Sequence, residues 1–123
     1  MATTANIPAP DEPLFYAGTT HPIWCVVQQA GAPMDIDGMS IVWIVAANVN
    51  STPLITKTTV DPTQITITDP TGGVFMIQLL PADTGALGGQ VLYHEARAAL
   101  GEAQEVLFSG TFTITASDTV GLV

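Results

Sequence analysis

Between residues 73 and 115 three apolar runs are separated by two polar breaks, and this stretch limits the possible folds more than any other. In the first run Phe75, Ile77 and Leu79 alternate with Val74, Met76 and Gln78. In the second, Leu92, His94, Ala96 and Ala98 alternate with Val91, Tyr93, Glu95 and Arg97. In the third, Val106, Phe108, Gly110, Phe112 and Ile114 alternate with Leu107, Ser109, Thr111 and Thr113. Period two is the spacing of a strand with one face inward, and the hydroxyls of the third run mark its solvent side. Only residues 101–104 join the last two runs, a hairpin signal with Gly101 in a short loop. The break over residues 81–89 is too long for a tight hairpin. It reads as a corner where the chain crosses from one sheet to another.

The same patterning extends upstream. Residues 21–28 read as a strand with Ile23, Cys25 and Val27 on one face and Trp24, Val26 and Gln28 on the other. Residues 39–47 are again apolar on both faces, and their β-branched and aromatic content favours a strand over a short helix. Residues 54–60 alternate apolar residues with Thr and Lys57, which predicts a half-exposed strand; Ile65 and Ile67 point inward from residues 64–68. Turn formers stand between these runs, most strongly at Asp69-Pro70-Thr71-Gly72-Gly73. Seven to eight strands at regular spacing, without a long helical pattern, predict an all-β chain: an immunoglobulin-like antiparallel β-sandwich over residues 14–116. Residues 1–13 carry Pro8, Pro10 and Pro13 and read as an extended N-terminal arm outside the central sheets, because proline donates no ladder bond. Residues 117–123 form a short C-terminal tail.

Charge narrows the function classes. Lys57 and Arg97 are the only strong cations against 11 carboxylates, for a net charge of −9. Such a chain is repelled by nucleic-acid backbones and anionic membrane surfaces, so neither is expected as a partner. No apolar run approaches the ~20 residues that span a bilayer, and no signal peptide is read at the N-terminus. Charged residues make up only 11%, against about 25% in typical soluble proteins. That deficit implies surface covered by partner molecules, in a homo-oligomer or multi-copy assembly.

The chain holds no recognisable chemistry. Cys25, the single cysteine, sits in an apolar run and reads as a small buried hydrophobe. His21 and His94 lack metal-ligand spacing, and His94 falls on an inward strand face, as a satisfied core histidine. Asp35 and Asp37 resemble the opening of a calcium loop, but the further ligands are absent, and Asx-turn chemistry explains them better. Glu95 and Arg97, two apart on one strand face, can pair. The remaining carboxylates fall in turns and tails, where they solvate loops. No enzyme activity, cofactor or metal is expected.

The order of motifs resembles a known family. Gly31-Ala32-Pro33-Met34-Asp35-Ile36-Asp37-Gly38 stands at a first corner, and Gly73-Val74-Phe75-Met76-Ile77 at the strand that follows. Leu80-Pro81-Ala82-Asp83-Thr84 stands at a second corner, and Leu92-Tyr93-His94-Glu95 at the next strand. Gly110-Thr111-Phe112-Thr113-Ile114 closes the series. In this order, over about residues 17–115, they are similar to the immunoglobulin-like domain of tailed-bacteriophage structural proteins, such as the N-terminal domain of the phage baseplate upper protein. Asp37 stands where that family usually has Thr, and the helical extension of the baseplate protein is missing. The resemblance implies a non-enzymatic virion component, made in the host cytoplasm, associated with the tail or baseplate and contacting other virion proteins. A capsid-decorating protein of the phage head is the alternative within that class. A carbohydrate-binding module using Trp24, Trp43 or Tyr93 is the alternative outside it, although core packing explains those aromatics better. The expected partner contacts are Ile7 on the arm and the apolar faces near Trp24 and Trp43.

Overall fold

The structure, a computed structural model, describes residues 3–6 and 17–115. These residues form nine strands and one short helix in the order β1 (Thr3–Asn6), β2 (His21–Gln29), β3 (Ala32–Pro33), β4 (Ser40–Ala46), β5 (Pro53–Thr58), β6 (Ile65–Asp69), β7 (Val74–Leu79), α1 (Pro81–Thr84), β8 (Gln90–Leu100) and β9 (Ala103–Ile114). The count passes the expected seven to eight because β3 is only a two-residue bridge and because β1 pairs at all. Residues Thr3 to Asn6 lie antiparallel to Val26–Gln29 as an edge strand, upstream of the three prolines. Ile7, most of the arm and the tail from residue 117 lie outside the described residues.

All pairings are antiparallel, in two sheets. One has the order β1-β2-β7-β6, with β3 added to β2; the other has the order β5-β4-β8-β9. In immunoglobulin notation these are A-B-E-D and C′-C-F-G, so the sandwich topology is that of the immunoglobulin fold. The corner after β7 crosses between the sheets as the sequence pattern requires. The hairpin between β8 and β9 closes over Gly101 and Glu102, with Leu100 opposite Ala103. Gly101 has φ +61°, at the loop position where a II′ turn carries its glycine.

Ile23, Cys25 and Val27 from β2 and Phe75, Ile77 and Leu79 from β7 face Ile41, Trp43 and Val45 from β4 and Leu92, Ala96 and Ala98 from β8. Met34 and Ile36 close one end of this core. There Gly73 has φ +72°, and a methyl group on it would stand 2.5 Å from the Val27 carbonyl oxygen and 2.7 Å from that of Met34. The glycine of the Gly73-Val74-Phe75 motif is therefore a steric requirement of close backbone approach.

Two expectations about individual residues change. Strict alternation in β9 put Leu107 outside and Val106 inside, but the register shifts opposite Ala96 and Arg97. This bulge turns Leu107 into the core and leaves Val106 exposed. An extra residue inverts the face assignment on one side of it, which periodicity alone does not reveal. Lys57, expected on a half-exposed strand, is buried. It shares the inward side of β5 with Ile55.

Candidate functional site

The corner between the sheets carries the most polar chemistry among the described residues. Pro81 opens the single turn of α1 and Asp83 stands two residues on. Asp83 Oδ2 accepts the Leu80 backbone N–H at 2.7 Å and lies 2.7 Å from Lys57 Nζ, which reaches it from β5 in the opposite sheet. The buried Thr84 hydroxyl oxygen accepts the Gly18 N–H at 2.9 Å. Asp83 and Thr84 thus hold the bend, and Asp83 also neutralises an ammonium group enclosed by protein. Asp83 therefore differs from the carboxylates that only solvate loops. The signal for its partner was present, since Lys57 lies two residues from Ile55 on the same side of the strand.

The aromatic centre of the sandwich is built around Trp43. Its ring is 0% exposed, and its Nε1–H donates to His94 Nδ1 at 3.2 Å. His94 stacks on Phe112 with centroids 5.1 Å apart and meets Phe108 at 5.2 Å. Burial among these rings pulls the His94 pKa down from 6.5 to about 4, so the imidazole is neutral and serves as an acceptor. Trp43 stands on β4, strand C in immunoglobulin notation, where immunoglobulin domains carry their core tryptophan against an inter-sheet disulfide. With one cysteine, this chain holds its tryptophan by a hydrogen bond to histidine. Trp43 itself is enclosed by the domain, and the outer face beside it on β4 is that of Val42 and Ile44. Burial likewise pushes the Cys25 thiol up to about 12, and the thiol stays protonated and enclosed.

Trp24 is placed differently. It is 46% exposed and opposite Met76 across the β2–β7 ladder. Val26, opposite Val74, continues the same outer face. None of the outward positions of β2 or β7 is charged. The outer face of the other sheet is mixed: Val42, Leu54, Val91 and Val106 are exposed among the hydroxyls of Thr56, Ser109, Thr111 and Thr113. Its only charges are Glu95 and Arg97. Arg97 Nη2 donates to Glu95 Oε2 at 3.1 Å, and the Tyr93 hydroxyl donates to Glu95 Oε1 at 2.7 Å. That hydrogen bond raises the Tyr93 pKa.

Among the described residues, Asp35, Asp37, Asp69, Glu102 and Glu105 gather at one end. The Ile36 N–H donates to Pro70 O at 2.8 Å, joining the loop of Asp35 and Asp37 to the turn of Asp69. Gly38 lies beside Leu100, next to the hairpin of Glu102. Between them a shallow depression of about 290 Å³ is lined by Met39, Ala98, Leu100, Ala103, Gln104 and Glu105. Asp35 Oδ1 accepts the Asp37 N–H at 2.9 Å, the Asx turn anticipated for this pair. Among the described residues no three His, Cys, Asp or Glu side chains are grouped to hold a metal ion, and no helix is long and apolar enough to cross a membrane.

No protein-family model matches the chain, and no curated protein matches it in sequence. What the arrangement offers is surface: an uncharged face on β2 and β7, a mixed face of valines and hydroxyls around Glu95 and Arg97, and one acidic loop end.

Proposed function

We propose that the chain is a non-enzymatic structural component of a tailed-bacteriophage particle, associated with the tail or baseplate and acting through protein–protein contacts. One observation carries this reading. In a chain of net charge −9, the outer positions of β2 and β7 hold no charge and centre on a half-exposed tryptophan opposite a methionine. Depletion of charge around a Trp and Met centre is the composition of an interface core. The order of the five sequence motifs supplies the phage context. Quantitative mass spectrometry of purified particles tests the proposal: the chain is expected in stoichiometric amounts, and its absence sinks the reading. Trp24→Ala is expected to reduce incorporation while leaving the fold intact. Copy number separates tail or baseplate, at a few copies, from a head-decorating role, at hundreds.

Of the two tryptophans, only Trp24 serves the carbohydrate-binding alternative, since Trp43 is enclosed; Tyr93 is partly buried, with its hydroxyl on Glu95. Glycan binding lost in Trp24→Ala, with particle incorporation unaffected, favours that second reading.

A further inference from the structure

We propose that a second copy of this chain docks on the outer face of β5-β4-β8-β9, about a two-fold axis that sets Arg97 of each copy against Glu95 of the other. This rests on the reading of the chain as an assembly protein that acts in several copies.

The first argument is charge. Two chains of net charge −9 repel one another over most of their surface. Asp35, Asp37 and Glu102 stand in loops, Asp69 ends β6 and Asp61 follows β5. The outer face of this sheet is different: its two charges, Glu95 and Arg97, cancel. Glu95 and Arg97 lie two residues apart on one strand, so a two-fold axis between them converts one internal pair into two reciprocal ones. An isologous interface needs this self-complementarity, in which residue i meets j and j meets i.

The second argument is the setting of that pair. Arg97 lies between Val42 on β4 and Val106 on β9, and Glu95 between Ile44 and Ser109. Val42 and Val106 are exposed. Exposed valines thus flank the arginine, which is 50% exposed; with Nη2 on Glu95 and Nη1 3.5 Å from Gln104 Oε1, it keeps further N–H groups for a second carboxylate.

Sedimentation velocity of the full chain over a wide concentration range tests this. The wild-type chain is expected to show a monomer–dimer equilibrium, with concentration-dependent amide shifts confined to β4, β8 and β9. Arg97→Glu and Glu95→Arg are each expected to weaken self-association by about 100-fold or more, through like charges set face to face. An equimolar mixture of the two variants is expected to recover a heterodimer, because one copy then offers two carboxylates and the other two guanidinium groups. Circular dichroism melts establish that each variant folds. A strictly monomeric wild type, a dimer indifferent to Arg97→Glu, or a mixture without recovery overturns the proposal. Its failure is distinct from that of the assembly reading: a monomer found in particles sinks only the dimer, and a dimer absent from particles sinks only the virion role.

Discussion

Trp43 and His94 form a polar contact at the centre of an apolar core, and its strength depends on the imidazole remaining neutral. The rings packed on His94 belong to Trp43, Phe108 and Phe112. None compensates a positive charge, so protonation costs both the hydrogen bond and the desolvation. The folded pKa of about 4 lies below the ordinary value of 6.5. The unfolded chain therefore binds the proton first, and the contribution of His94 is complete above pH 6.5 and lost as pH falls toward 4. The loss is on the order of 3 kcal/mol. Urea denaturation across this window should show it as a falling midpoint. His21, whose pKa burial also lowers, adds in the same direction, so the contribution of His94 is the difference between wild type and His94→Phe. That variant should flatten the slope while costing about 1–3 kcal/mol at neutral pH, because the Trp43 N–H loses its acceptor. A core histidine on an inward face was legible from alternation. Its partner was not, because nothing in the local sequence links residues 43 and 94.

The corner at α1 and the bulge in β9 show what tertiary context adds to a strand pattern. The Lys57–Asp83 pair joins β5 to the crossover, with side chains 6% and 21% exposed. Removing one partner strands the other in protein. Asp83→Ala is expected to cost about 3–5 kcal/mol, more than Lys57→Met, because Asp83 also accepts the Leu80 N–H. A double-mutant cycle by chemical denaturation should return a coupling above about 1 kcal/mol; additivity counts against the pair as a stabilising contact. In β9, Leu107→Ala is expected to cost about 2–5 kcal/mol as a core truncation, and Val106→Ala less than about 0.5 kcal/mol as a surface change. The reverse ranking restores the unbulged register. The inward parity of Lys57 with Ile55 was readable in advance. The bulge was not, since Val106, Leu107 and Phe108 are all apolar and either phase fills a core.

At the scale of the whole domain, the sandwich was legible because its strands are short, alternate at period two and are punctuated by turn residues. The crossover at residues 81–89 and the closing hairpin were placed by the same signals. The pairing of β1 was not, since Thr3 to Asn6 carry no strand pattern of their own. Interfaces were the least legible: alternation says that a residue leaves the core, not that something else covers it. That is why Trp24 and Trp43, alike in sequence, separate only in three dimensions. Charge also acts at this scale. Asp35, Asp37, Asp69, Glu102 and Glu105 crowd one end of the sandwich, so thermal stability should rise as sodium chloride shortens the Debye length from ~30 Å at 0.01 M to ~8 Å at 0.15 M. A melting temperature that is flat or falling over that range contradicts a repulsive loop end. The two tryptophans, finally, give this chain two optical reporters. Trp43, sealed among aromatic rings, should emit in the blue and shift only on unfolding. Trp24, half in water, should emit further to the red and move when its face is covered. Trp24→Phe isolates the first signal, and its difference from wild type isolates the second, so folding and face burial can be followed without an added label.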